Sequence, residues 1–256
     1  MSKIISIHSF RGGTGKSNLT ANLAVLVAGA GRRVGVIDTD IHSPGIHVIF
    51  GVEQAALRFA LNDFLWGRCS MKDAAYEISV GSSLPGTAPG ASVAIYLIPS
   101  SIKTGEIARI LREGYDVGLL TDGFRTLIRD LALDFLFIDT HPGVNEETLL
   151  SIALSDHLLL VMRPDSQDFQ GTAVTAELAR RLDVKDMKIV LNKVPNGMDP
   201  VFLREQVEMT FASPVAEVLP LAHEMATLGS SAVFVTRFPE HPFSRGLERI
   251  AGQLIS

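Results

Sequence analysis

Cysteine is nearly absent from this chain, with Cys69 the only one in 256 residues. A lone thiol closes no intrachain disulfide and supplies no thiolate metal site within one chain, so a reducing compartment is expected. Long apolar runs are missing as well. Nothing approaches the roughly 18 uninterrupted apolar residues that a membrane span needs. The richest run, Leu23 to Ala30, is about half that length and is closed by Gly31-Arg32-Arg33. The N-terminus carries Lys3 but no apolar segment ending in a cleavage site, so no secretion signal is expected and a cytoplasmic location follows. There is little excess of charge either. With 23 basic and 28 acidic residues the formal charge is −5, which argues against nucleic-acid binding through bulk charge and leaves room only for a local basic patch.

Apolar residues are plentiful, at 46% of the chain with a mean hydropathy of +0.26, and they predict a large core. The length suits one large α/β domain or two small ones. Short runs rich in Val, Ile, Leu and Phe alternate with segments of helical period, the mark of a parallel sheet covered by helices on both faces. The spacing predicts strands at Lys3–Ser9, Val34–Asp38, Val93–Ile98, Phe135–Asp139, Leu158–Met162, Lys188–Leu191, Val215–Leu219 and Ala232–Val235. Leu19, Leu23, Leu26 and Ala30 repeat at helical spacing, with Gly29 and Gly31 as stop signals. Further helices are expected within Ala55–Trp66, Gly105–Arg112, Gly123–Leu133, Glu146–Leu154, Gln167–Leu182, Pro200–Met209 and Phe243–Ile255. Gly81–Gly90 is the best linker candidate, read as a loop inside one domain spanning 1–256.

Three motifs fall where a doubly wound sheet puts its ligands, at the carboxyl ends of strands. The first is Ser9-Phe10-Arg11-Gly12-Gly13-Thr14-Gly15-Lys16-Ser17-Asn18. It ends in Gly-Lys-Ser like an ordinary phosphate loop, but Phe10 stands where that pattern has its first glycine. Gly12, Gly13 and Gly15 let backbone N–H groups curl around phosphate, and a helix starting near Lys16 aims its positive end at the same anion. Lys16 offers charge to the β- and γ-phosphates and the Ser17 hydroxyl is a natural Mg2+ ligand. A glycine-requiring corner is the bland alternative, and the strand before the loop and helix after it favour the nucleotide.

The second motif, Ile37-Asp38-Thr39-Asp40, puts two carboxylates just past a strand, suited to orienting a water and supporting a Mg2+ shell. Alone such a pair reads as a polar turn; its place after a phosphate loop reverses that. In the third, Phe135-Leu136-Phe137-Ile138-Asp139, an apolar strand ends in an aspartate that can hold Mg2+ through water. The competing role for Asp139 is a helix N-cap.

Arg11-Gly12-Gly13-Thr14-Gly15-Lys16-Ser17 resembles the deviant Walker A loop, K-G-G-x-G-K-[ST], of the ParA/MinD class of P-loop ATPases. Val36-Ile37-Asp38-Thr39-Asp40-Ile41 is similar to that family's D-x-D segment, and Asp139-Thr140-His141-Pro142-Gly143-Val144 to its Walker B region and switch. Val190-Leu191-Asn192-Lys193-Val194 resembles the strand whose asparagine meets adenine. The likeness runs to about Ile250 and is weakest between Val52 and Ala91.

The resemblance implies a P-loop NTPase fold, ATP and Mg2+ as ligands, and an ATP-dependent homodimer with two nucleotides between its subunits. It assigns Gly12, Gly13, Thr14, Gly15, Lys16, Ser17 and Asn18 to the nucleotide, Ser17, Asp38 and Asp139 to the metal, and Asp40 to the attacking water. Asn192 and Pro220 would meet adenine, and Asp165 lies in a stretch that reaches the partner's nucleotide. It further implies a protein activator or cargo and contact with a DNA or membrane surface. Two positions depart from the family. Arg11 replaces the lysine that crosses the dimer interface, and keeps its charge on a planar fork suited to phosphoryl transfer. His141 stands where proline or alanine is common.

Other signals point to structure. The histidines form no HExxH pattern; His42 and His47, around Pro44-Gly45, read as loop residues and His8 as a hydrogen-bonded core residue. Phe243, Leu247, Ile250 and Leu254 have helical spacing and are expected to pack on the body, without the extra C-terminal helix that MinD-like proteins use on membranes. Arg180-Arg181, Lys185 and Lys188 read as a solvated helix end more than a phosphate-binding patch. The functions left in competition are an ATP-hydrolysing positioning switch, a metal or metallocluster insertion ATPase, and an ATP-binding regulatory module with little hydrolysis.

Overall fold

Strand β1 (Lys3–His8) leads into the glycine loop and then α1 (Lys16–Gly29), which starts at the lysine of the motif. The computed structural model describes residues 2–81 and 92–256. β2 (Val34–Asp38) is followed by α2 (Ile46–Ile49), a 3-10 turn at Gln54–Ala56, α3 (Leu61–Leu65) and β3 (Tyr76–Gly81). Then come β4 (Ser92–Ile98), α4 (Thr104–Glu113), α5 (Gly118–Asp130), β5 (Phe135–Asp139) and α6 (Glu146–Ala153). The last third contains β6 (His157–Met162), α7 (Ser166–Arg181), β7 (Met187–Val194), α8 (Pro200–Phe211) and β8 (Val215–Pro220). It ends in α9 (His223–Leu228), α10 (Phe234–Arg237) and α11 (Pro242–Ile255).

The eight strands form one sheet in the order β3-β4-β2-β5-β1-β6-β7-β8. Every pairing is parallel except β3 with β4. Successive residues of the central strands feed cores on opposite faces. Ile5, Ile7, Val36 and Phe137 join α1 and α11, whereas Ile37, Leu136 and Ile138 join α3 and α5. A third cluster packs Leu158, Leu160 and Met162 against α7 and α8. Burial on both faces is why these strands read as continuous apolar runs rather than alternating ones. Along α11, Phe243, Leu247, Ile250 and Leu254 are all buried on the body, as their spacing predicted. Among the described residues no helix is long and apolar enough to cross a membrane.

One expectation is corrected, and one strand is added. Ala232–Val235 is not a strand. Val235 N–H donates to Asn22 Oδ1 of α1 at 2.8 Å, and Phe234 packs its ring against Phe238, His241 and Phe243, so the run turns into α10. Within Ala55–Trp66 the expected helical part is α3, which extended backbone at Leu57 and Ala60 separates from the 3-10 turn. The edge strand β3 was not foreseen. Its signal is the alternation of half-buried Tyr76, Ile78 and Val80 with exposed Glu77, Ser79 and Gly81. Beyond Gly81, the linker candidate lies outside the described residues.

Candidate functional site

The glycine loop joins two rigid elements and is shaped by its glycines. Gly13 and Gly15 have φ of +78° and +99°, a region costly for residues with a Cβ. A Cβ on Gly15 would lie 2.6 Å from Asn192 Nδ2, so only glycine lets the loop pass this close to β7. The Asn192 amide donates to Thr14 O at 2.7 Å, and Lys193, itself at φ +57°, donates through Nζ to Gly13 O at 2.7 Å. Lys193 was not singled out in the sequence, although its adjacency to Asn192 was the available signal. Phe10, at the position of the missing first glycine, packs its ring on Gly171 of α7. Besides the strand and helix it joins, the loop is therefore held by β7 and α7.

Lys16 opens α1, is buried, and donates through Nζ to Ser9 Oγ at 3.0 Å. Burial lowers its pKa, while the charges of Asp139 and Asp40 oppose the shift. Parallel pairing of β2 with β5 sets Asp38 beside Asp139 in register, both almost completely buried. Burial pushes the Asp38 carboxyl well above its usual range and the neighbouring Asp139 and Asp40 add to the shift; backbone N–H groups of Asp40 and Gly45 bond its two oxygens at 3.0 and 3.2 Å. Burial also raises Asp139, to about 6, against the Ser17 hydroxyl and the Lys16 charge, which hold it lower. Asp139 does not cap a helix. The N-cap of α6 is Asn145, whose side chain accepts from Thr148 N at 2.8 Å.

Asp40 is held by Ser43, which donates from N at 3.0 Å and from its hydroxyl. The Nε2 of His141 lies 3.8 Å from Asp40 Oδ1, and the His42 ring meets the His141 ring edge-on with centroids 5.0 Å apart. Behind them His8 is fully buried. Thr140 gives its hydroxyl proton to Ile7 O, so its oxygen accepts from His8 Nδ1 at 2.8 Å. Burial, aided by the Lys16 charge, pushes the His8 pKa down to about 3, so it stays neutral as expected of a core residue.

Gly15, Asn18, Asn192 and Pro220 line one cleft, together with Met225 and Phe243. Among the described residues, Thr14 Oγ1 and Asn18 Oδ1 are buried without a hydrogen-bond partner. Unsatisfied polar atoms beside a glycine cradle fit a polar ligand that supplies the missing bonds. The chemistry of Ser17, Asp38 and Asp139, all oxygen donors, fits Mg2+. Arg11 lies apart from this cleft, half-exposed. It donates through Nη1 to Gln167 Oε1 and sits 3.9 Å from Asp168, which Arg163 grips with both Nε and Nη2. Asp165 caps α7 by accepting from Gln167 N and Asp168 N. The basic cluster is largely paired: Arg181 with Glu177, Lys188 with Asp186, and Arg180 with Ser213 Oγ.

The family profile for ParA, described as an NUBPL iron-transfer P-loop NTPase, matches residues 1–255. The chain belongs to the ParA family of P-loop NTPases. An uncharacterized ATP-binding protein of Methanocaldococcus jannaschii is 28% identical to it over 256 residues, covering 100% of this chain and 88% of its own length. The cell division ATPase MinD of Pyrococcus furiosus superposes with a TM-score of 0.81 at 23% identity, over 100% of this chain and 99% of its own. MinD of Pyrococcus horikoshii, solved as a complex with Mg-ADP, gives 0.79 at 22% identity over 99% and 96%. At such identities the superpositions speak for the fold, and this ParA-family chain has the sheet and flanking helices of MinD.

Proposed function

We propose that this chain is a Mg2+-dependent ATP-binding and ATP-hydrolysing dimerisation switch that positions a protein cargo or complex, acting as one unit in the cytoplasm. The observation that carries the reading is convergence: the phosphate loop, three carboxylates from β2 and β5, and the cleft under Asn192 and Pro220 meet at one end of the sheet. In this reading the backbone of Gly12 to Gly15 and Lys16 grip the phosphates. Asn18, Asn192 and Pro220 receive the base. Ser17, Asp38 and Asp139 hold Mg2+, which supplies charge neutralisation for phosphoryl transfer when bound. Asp40, oriented by Ser43, positions the attacking water. Loss of the γ-phosphate then frees the segments after β2 and β5, which alters the surface offered to a partner.

Arg11 acts in trans, reaching the nucleotide of the second subunit after leaving Gln167. The test is phosphate release as a function of protein concentration. Activity per subunit should rise with concentration and vanish in Asp40→Ala, and a rate unaffected by that substitution refutes the mechanism and leaves the non-hydrolysing module. Sedimentation with DNA and with liposomes, each with and without ATP, identifies the working surface.

The iron-transfer description of the matching family profile favours a second reading, a metal or metallocluster insertion ATPase. Cys69 gives it little support: burial pushes its thiol up to about 11, so it offers almost no thiolate at neutral pH. Iron and acid-labile sulfide, measured together in the purified protein, decide between the two.

A further inference from the structure

His42 and His141 have no part in the nucleotide reading, yet both meet Asp40. One ligand atom from each of the three residues falls within 4.8 Å of the other two. His141 Nδ1 lies 2.6 Å from the Pro142 carbonyl, and a carbonyl has no proton to give, so Nδ1 is the donor. That bond fixes the ring and leaves Nε2 facing Asp40 Oδ1 at 3.8 Å. A lone pair facing a carboxylate is repulsive unless something positive stands between them. Imidazoles that bind metal are oriented in this way, with the second nitrogen donating to a carbonyl, and metal-binding carboxylates are themselves hydrogen-bonded. Ser43 supplies that support to Asp40 through its N–H and hydroxyl.

We propose that Asp40, His42 and His141 bind one divalent transition metal of the zinc or iron(II) class, tying the segment after β2 to the segment after β5. Two imidazole nitrogens and one carboxylate oxygen suit zinc, iron or nickel, whereas Mg2+ prefers an oxygen shell. This separates the site from the oxygen set of Ser17, Asp38 and Asp139. Ligand atoms about 2.1 Å from a tetrahedral zinc lie roughly 3.4 Å from one another, so closure requires only small side-chain shifts. A second proton on His141 would also satisfy the gap to Asp40, as an ion pair. His42 contributes nothing to such a pair, and its closing on the same point is what favours a metal. One consequence rests on the proposed role of Asp40: a metal held there withdraws the carboxylate from the attacking water, so the loaded protein hydrolyses ATP slowly until a chelator is added.

The experiment titrates Co2+ into the metal-stripped full chain in excess Mg2+, reading the d–d absorption bands, and repeats it with Zn2+ against a chromophoric chelator. One equivalent per chain is expected. His42→Ala and His141→Gln should each weaken binding by more than about tenfold, the loss that even outer-shell changes cause at metal sites. His223→Ala, on an exposed histidine elsewhere, should not. Thermal unfolding of each variant identifies any that fails to fold, and the other then carries the test. No stoichiometric binding in the presence of Mg2+, or binding retained in every folded variant, overturns the proposal. Hydrolysis is measured separately with Mg2+ alone, so an active chain that binds no Co2+ loses only the metal site, and an inactive chain that binds it loses only the hydrolysis reading.

Discussion

Gly171 and Phe10 form a testable lock between α7 and the phosphate loop. A methyl group on Gly171 would enter the Phe10 side chain, with Cγ 2.5 Å and Cβ 2.8 Å away, as well as Cδ1. These are the atoms nearest the backbone, so turning the ring does not make room. Overpacking of this kind costs about 1–3 kcal/mol. Removing a glycine from a helix interior gains about 1 kcal/mol by itself. Gly171→Ala should therefore destabilise the chain by up to about 2 kcal/mol. In a Phe10→Gly background, which removes the Cβ as well as the ring, the clash is gone and only the helix term remains, so the same substitution should stabilise by about 0.5–1 kcal/mol. Urea unfolding of the four proteins gives the cycle, with the m-value showing whether the unfolded state has changed. The sign reversal is the prediction. If Gly171→Ala has the same sign and size in both backgrounds, Phe10 is not held by α7, and its place in the loop needs another explanation.

Further outcomes follow from the buried charges and the loop contacts. Burial raises the Asp139 carboxyl to about 6, so between roughly pH 4 and 6 the folded chain keeps a proton that the unfolded chain has lost. The stability contribution of this group falls as pH rises through that window. Asp139→Asn should remove the fall and raise the ligand-free melting temperature at pH 7 by roughly 2–6 °C, while losing Mg2+-dependent hydrolysis; a lower melting temperature contradicts the electrostatic account. Arg11→Ala should change stability by less than about 1 kcal/mol, because the side chain is half-exposed. It should abolish the concentration-dependent rise in activity while leaving ATP binding mostly intact, and a retained rise counts against action in trans. Asn192→Ala breaks the 2.7 Å bond to Thr14 O. It should weaken ATP binding about tenfold, equivalent to about 1.4 kcal/mol, and narrow the preference over GTP, both read by calorimetry.

Local signals were legible in the sequence where they settled the structure locally. β1, the glycine loop and α1 follow from an apolar strand, glycines at positive φ and a helix beginning at Lys16, all within adjacent residues. The cleft residues Asn18, Asn192 and Pro220 came from the family resemblance, and they do line one cavity. Where long-range partners decide, the pattern misled. Ala232–Val235 looks like a short strand until Asn22 of α1 binds Val235 N–H and three rings gather on Phe234. β3 has only half-buried inward residues, because it is an edge strand paired on one side. The meeting of His42 with His141 could not be read from spacing at all. It depends on the β2–β5 register, which places Asp38 beside Asp139 and so brings together the loops that follow.

That register also explains why the site is costly without a cation. Asp38 and Asp139 emerge side by side from strands buried on both faces, where water cannot solvate them, and both are pushed towards the protonated form. Lys16, the nearest positive charge, is itself buried and shifted towards neutrality, so it offsets only part of the cost. Elsewhere in the sheet the buried carboxylate of Glu217 on β8 is matched by Arg204 and Arg249, whereas among the described residues no arginine pairs with Asp38 or Asp139. A ligand that brings a divalent cation here relieves the repulsion between the two carboxylates. Binding must then stabilise the chain by at least the electrostatic strain it removes, and losing the ligand must return that strain to the segments carrying Asp40 and Gly143. Coupling of this sort needs no long pathway. The strained carboxylates and the segments that would move are the ends of the same two strands.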